Sequence, residues 1–142
     1  MDAHALVVNV DGAVVREDRY LLIERAAGEE HAAGDLGFPG GTVEPADAGE
    51  DVLAATVARE LREEVGLEVD AVEYVHSGTF EADDGTPCLN VLTLCGATGE
   101  AHPREPEEVA AVHWVGPDEA RAREDVPAYT EGYVERLEAY RR

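Results

Sequence analysis

Between Val52 and Gly66, apolar side chains return at every fourth position, Leu53, Val57, Leu61 and Val65, with Ala54 and Ala58 beside them. At about 100° per residue this spacing draws one continuous stripe along a helix, and such a stripe has to be buried against another layer. Gly66 closes the segment, since glycine suits the left-handed position after a last helical turn. Asp47 and Asp51 both stand where a side chain can cap the start. The remaining sequence must supply a layer for this helix to pack on, and it offers mostly strands.

The stripe contains an intruder. Glu64 falls between Leu53 and Val57 in helical projection, so one carboxylate points toward the interior, while Glu60 and Glu63 fan across the adjoining sector. Like charges at these spacings each cost a helix a few tenths of a kcal/mol, and more when desolvated. They also crowd the C-terminal end, where the macrodipole disfavours anions. A compensating cation is called for, and hard divalent ions such as Mg²⁺ or Mn²⁺ take carboxylate and carbonyl oxygens. Arg59 stands next to the fan, where a guanidinium can orient a carboxylate through paired hydrogen bonds. In so acidic a chain, three glutamates alone also read as an ordinary solvated face.

The flanking sequence reads as mixed α/β. Ala5–Val15 is strand material, followed by turn residues Arg16–Arg19 and the apolar run Tyr20–Ile23, together a hairpin. Gly34–Gly41 predicts an extended segment ending in a tight loop, and Glu44–Asp51 a polar loop. Val69–Phe80 and Cys88–Gly96 predict strands joined by a turn at Ala82–Pro87, and Val109–Val115 another strand. Pro117 opens a short helix, and Tyr133, Leu137 and Tyr140 give 129–140 helical spacing. With 142 residues, 44% of them hydrophobic, the chain has the length of one domain, 1–142, with material for a core.

The 32 acidic and 11 basic residues leave a formal charge of −21, and every basic residue is an arginine. A field of that sign repels phosphate backbones and anionic lipid, which argues against nucleic-acid duplexes and membrane surfaces as partners. The absence of lysine and the abundance of Asp and Glu resemble the proteins of salt-loving microbes. Cys88 and Cys95, seven positions apart in one strand and on opposite faces, would be about 23 Å apart, so they read as reduced thiols. No leader-like or membrane-spanning run is apparent, which makes the cytoplasm the expected location. His4, His31, His76, His102 and His113 show no zinc-type spacing.

The run Arg59-Glu60-Leu61-Arg62-Glu63-Glu64-Val65-Gly66-Leu67 resembles the C-terminal half of the Nudix box, Arg-Glu-U-x-Glu-Glu-x-Gly-U with U aliphatic, at every specified position. Phe38-Pro39-Gly40-Gly41-Thr42-Val43-Glu44 resembles the entry to the same box. The usual box has five residues between its glycine and a glutamate, then seven before the arginine. Leaving seven residues before Arg59 puts Asp51 in the glutamate's place, with nine residues between Gly41 and Asp51, so the loop reads as four residues longer with Asp51, or Glu50, as the substitute.

The resemblance implies an α/β/α sandwich with a mixed β-sheet and metal-dependent hydrolysis of a diphosphate bond in a nucleotide-type small molecule. It implies Mg²⁺ or Mn²⁺ as cofactor, with Glu60 and Glu64, the Gly40 carbonyl and Glu63 as ligands. Glu63 alternatively helps activate water, Arg59 orients the carboxylates, and Glu107 or Glu108 supplies a further acid. Gly41 and Phe38 are the substrate-side candidates, Phe38 as the aromatic nearest the box, although Tyr20, Tyr74, Phe80 and Trp114 also offer rings that more often serve packing. Relatives acting on ADP-ribose commonly carry a proline about fifteen residues past the box, where this chain has acidic turn residues near Asp83, so nucleoside triphosphates or a broad range are favoured. The rival reading is a non-catalytic nucleotide-sensing module, which would be expected to lose box carboxylates. A homodimer is left open.

Self-repulsion at −21 should relax as salt screens it. Thermal melting should therefore shift upward by several degrees between dilute buffer and molar KCl, and an unchanged Tm would contradict this reading.

Overall fold

The computed structural model describes residues 4–26 and 34–142, and the expectation for His31 lies outside them. Eight strands and three helices follow in order: β1 Val7–Ala13, β2 Val15–Arg16, β3 Arg19–Arg25, β4 Leu36–Gly37, β5 Gly40–Thr42, α1 Val52–Val65, β6 Glu68–Glu81, β7 Pro87–Thr98, β8 Val109–Val115, α2 Pro117–Ala122 and α3 Ala128–Arg141. One sheet has the order β5-β1-β7-β6. It is mixed, because β1 and β7 run parallel (Val7 opposite Cys88 through Ala13 opposite Leu94) while β5 and β6 run antiparallel to their neighbours. In the other sheet β3 pairs antiparallel with β8 from Tyr20 onward and with β2 and β4 over shorter stretches.

Strand alternation distributes the core into two layers. Val10, Leu21, Ile23, Val91 and Cys95 pack with Val57, Leu61 and Val65 of α1. On the other side Ala13, Tyr20, Leu22, Leu36, Phe38 and Leu92 pack with Ala120 of α2 and Val134 and Leu137 of α3. The sheets thus lie between α1 and the α2–α3 pair, which makes the α/β/α sandwich with a mixed sheet that the box implied. The buried side of α1 is the predicted stripe, with Val57, Leu61 and Val65 fully buried. Gly66 ends the helix at φ 74° as expected. The two cysteines are free and buried.

The first hairpin differs from its sequence reading. β1 does not continue to Val15: the chain breaks at Val14 and passes from one sheet to the other, so only β2 and β3 form the hairpin. The side chains keep alternating through the break, Ala13 and Val14 lying in opposite core layers, and what changes at Val14 is the partner: β1 pairs with β7 up to Ala13, and β2 pairs with β3 from Val15. Glu17 and Asp18 turn the hairpin with φ 52° and 60°, the pair of left-handed residues that a tight two-residue turn requires.

Gly12 marks the closest approach of β1 to α1. A Cβ there would stand 2.6 Å from Val57 Cγ2 and 3.2 Å from both Cys95 Sγ and Leu61 Cδ1. Valine is stiff at χ1 and cannot swing away. Gly12→Ala should therefore lower stability by about 1–3 kcal/mol, read as a drop in the urea midpoint at unchanged slope.

Candidate catalytic site

The glycine loop and the C-terminal half of α1 meet through the glutamates. β5 brings Gly40 and Gly41 over the helix, and the Gly40 N–H donates to Glu64 Oε1 at 2.9 Å. A Cβ on Gly41 would collide with the Glu60 carboxylate, so glycine here is what lets Glu60 reach the backbone of β5. Glu64 is 6% exposed, as its place in the stripe predicted. Burial pushes its carboxyl up to about 8; the Gly40 N–H opposes the shift and the charge of Glu60 adds to it. Glu60 is raised too, by burial first, with Arg59 opposing. Glu63 lies outermost, its side chain 48% exposed.

Arg59 is the hub of the site. Its Nε donates to Asp47 Oδ1 and one terminal nitrogen to Asp47 Oδ2, both at 2.9 Å. That nitrogen also donates to the Thr42 carbonyl at 3.1 Å, and the other to Glu60 at 2.8 Å and Glu63 at 3.2 Å. The expected orientation of the fan by Arg59 is thus present, but its strongest partner is an acid that sequence reasoning weighed only as a helix cap. Asp47 closes a short 3₁₀ turn, Pro45–Asp47, and also accepts the Glu44 N–H at 2.9 Å. Arg59 above all, then that N–H, holds its carboxyl well below the usual carboxylate range.

This corrects the upstream half of the box. Neither Asp51 nor Glu50 fills the glutamate's place: both are exposed, and Asp51 occupies the first helix boundary at φ 54° without a side-chain cap bond. Five residues, 42–46, separate Gly41 from Asp47, so the usual spacing from the glycine is kept and the four extra residues lie between Asp47 and Arg59. Counting forward was the signal that counting back obscured.

Other expected residues separate. Phe38 is 5% exposed and packs edge-on to Tyr20 and against Tyr133, so it has no face open for a base and is a core residue. Gly41 contacts Glu60 and is the close-approach glycine of the acidic cluster. Glu107 and Glu108 are both exposed. The charge of Glu108 reaches Glu64 and raises it, whereas that of Glu107 is felt at Glu105, which is itself raised by burial and by its acidic neighbours. The segment before β8 also closes the end of α1: His102 N–H donates to the Val65 carbonyl, Arg104 N–H to Glu64 O, and the Arg104 side chain to Arg62 O. Of the residues not anticipated, Asp11 is the most unusual, a carboxyl beneath Gly40 that burial raises to about 6, with Asn90 and Arg25 opposing.

Among the described residues no three His, Cys, Asp or Glu side chains already stand at metal-holding distances, since Glu60 and Glu63 turn to Arg59. The donor set nevertheless fits a hard divalent cation. Glu60 and Glu64 are desolvated carboxylates beside a backbone loop, and among the described residues the Glu64 carboxylate accepts only from a neutral N–H.

The mixed-sheet sandwich, the glycine loop over an acidic helix and the arginine that organises it define a class, and comparison with known proteins agrees. The family model of the NUDIX domain matches residues 5–137. The chain therefore belongs to the Nudix family, as a hydrolase of pyrophosphate bonds. It is 30% identical over 114 residues to the CTP pyrophosphohydrolase of Escherichia coli K12, covering 80% of this chain and 79% of that protein. The solution structure of the E. coli ORF135 protein is similar at TM-score 0.76 and 28% identity, covering 96% of this chain and 91% of that one. A MutT NUDIX hydrolase from Burkholderia pseudomallei is similar at TM-score 0.79 and 25% identity, over 94% and 99% of the two chains.

The Glu64 carboxyl, ordinarily at 4.5, lies near 8 in the fold, so the fold favours its protonated form. The resulting penalty is absent below pH 4.5, grows as pH rises and is complete above about 8. In EDTA-treated protein, Glu64→Gln should raise Tm by about 5 °C or more at pH 9 and leave it nearly unchanged at pH 4.5. An equal shift at both pH values would show that the charge is not what the fold resists.

Proposed function

We propose that this Nudix hydrolase cleaves nucleoside triphosphates in a metal-dependent reaction, water adding at phosphorus to give the nucleoside monophosphate and pyrophosphate. The observation that carries the reading is the desolvated pair Glu60 and Glu64 beside Gly40 and Gly41, organised by Arg59. CTP is the first substrate to try, because the curated relative is a CTP pyrophosphohydrolase.

Glu60, Glu64 and the Gly40 carbonyl would hold Mg²⁺ or Mn²⁺, with Glu63 as a further ligand. A divalent ion bound there supplies charge neutralisation at the diphosphate oxygens and lowers the pKa of water. The protein groups do the rest. Arg59 fixes Glu60 and Glu63 in place, and Asp47 fixes Arg59. Glu63, the helix glutamate most open to solvent, would take a proton from the attacking water, with Glu107 or Glu108 as the further acid, of which Glu108 is the one whose charge is felt at Glu64. Burial of Glu64 keeps its oxygens from being spent on water and makes a cation the favourable partner.

A nucleotide-sensing module without catalysis is the alternative, and the presence of Glu60, Glu63 and Glu64 together with an intact arginine hub weighs against it. The cytoplasm suits a nucleotide substrate, and among the described residues no helix is long and apolar enough to cross a membrane.

Release of pyrophosphate or phosphate should be measured for CTP, UTP, ATP, GTP and ADP-ribose with Mg²⁺ or Mn²⁺ in high salt. A nucleoside triphosphate should be turned over, EDTA should abolish the activity, and Glu64→Gln should lower kcat by more than about 100-fold, the upper end of what losing a group just outside a ligand shell costs. Full activity in that variant would refute the ligand assignment, and turnover of no nucleotide would favour the sensing module.

A further inference from the structure

On the side of β1 away from α1, a set of polar groups faces α3 and takes no part in the reaction described above. Asp11 stands opposite Gly40 in the β1–β5 pairing, and a Cβ on Gly40 would lie 2.6 Å from Asp11 Oδ1. Asn90, on neighbouring β7, donates its amide to Asp11 Oδ2 at 3.0 Å and to the Tyr133 hydroxyl of α3 at 2.7 Å. The Tyr133 ring is seated between Phe38, with ring centroids 6.4 Å apart, and His76 of β6 at 6.3 Å. Asp11, Asn90, His76 and Tyr133 each keep part of their surface exposed, although the Asp11 carboxyl itself is desolvated enough to be raised.

Counting donors and acceptors shows what the cluster leaves open. Asn90 commits its NH₂ to Asp11 and Tyr133, which fixes the amide orientation and leaves its carbonyl as an acceptor. Asp11 Oδ1 accepts from no side chain among the described residues. The Tyr133 hydroxyl accepts from Asn90 and keeps its own proton to donate. The open set is therefore two acceptors and one donor, held on two paired strands and a packed ring, and it lies one strand pairing from the Gly40 that bonds Glu64.

We infer that Asp11, Asn90 and Tyr133 form a subsite that reads the base of the nucleotide, selecting one with an exocyclic amino group beside an unprotonated ring nitrogen. The amino group donates to Asp11 Oδ1 and the Asn90 carbonyl, and the ring nitrogen accepts from Tyr133. Cytosine and adenine carry that edge, whereas uracil presents a keto oxygen and an N–H in the same places and would set acceptor against acceptor. The inference rests on the nucleoside triphosphate reading above, with Asp11 and Asn90 as specificity-determining residues and no part in bond cleavage.

The experiment measures kcat/KM for CTP, ATP and UTP with Mg²⁺, and in parallel the binding of CMP, AMP and UMP by calorimetry, for the wild type and for Asp11→Asn. That variant keeps the bond from Asn90 but can present an NH₂ where the open acceptor stood. The wild type should prefer CTP or ATP over UTP by at least tenfold, the CTP and ATP arms deciding which amino base is read, and Asp11→Asn should collapse that ratio at least tenfold. Should Asp11→Asn not fold, Tyr133→Phe, monitored by Tm, should shrink the same ratio several-fold. A wild-type preference for UTP, or an amino-to-keto ratio unmoved in the variant, overturns the inference. If no triphosphate is cleaved the reaction assignment fails separately, and the monophosphate arm still decides: equal binding of all three by the wild type overturns the subsite, and tenfold tighter CMP or AMP lost in Asp11→Asn upholds it.

Discussion

The arrangement of the acidic site depends on the guanidinium of Arg59. One planar group joins the 3₁₀ turn through Asp47, β5 through the Thr42 carbonyl, and its own helix through Glu60 and Glu63. Lysine would supply charge without the fork, and only the fork can grip Asp47 at two oxygens while still reaching the fan. The Asp47 side chain is 4% exposed, so the pair is held largely away from water. Removing either partner would leave the other without its main counter-charge and release the turn from the helix. The loop geometry, the helix and the orientation of two glutamates are therefore coupled through one side chain.

Local physics sets α1 against itself, and the fold answers at two points. Anions crowd the C-terminal end of the helix, where the dipole disfavours them. Arg104 and the His102 N–H, from a segment some forty residues further along, satisfy the last carbonyls and bring a cation to that end. The second answer is glycine. Gly41 lets the Glu60 carboxylate meet the β5 backbone, and Gly40 gives its N–H to Glu64. Neither removes the desolvation of Glu64, and this residual cost is what a divalent cation would relieve.

Much of this was legible in the sequence where the cause is local. The stripe at Leu53, Val57, Leu61 and Val65, the stop at Gly66 and the inward angle of Glu64 all follow from helical periodicity, and the structure places them accordingly. What was not legible depends on pairing across the chain. The break at Val14 arises because one strand run serves two sheets, which no period in Val7–Val15 announces. Phe38 looked available because it adjoins the box, but alternation along 36–41 turns its ring inward against Tyr20 and Tyr133. Asp47 and Asp51 are equally plausible acids by composition, and only the fold of the loop between them shows which one Arg59 reaches.

The same alternation gives β1 two functions. Val10 and Gly12 face α1, where their burial fixes the distance between sheet and helix. Asp11, between them, faces the other way and lies opposite Gly40. A carboxylate in a strand otherwise buried on both sides is costly unless something donates to it, and within the described fold that donor is the Asn90 amide. Moving the register of β1 by a single residue would exchange the two faces, putting the charge against Val57 and Leu61 and an apolar side chain beneath Gly40. The parallel pairing with β7, seven residues long, is what forbids that slip. The position of Asp11 is therefore as firmly determined as that of the helix glutamates, although no motif marks it.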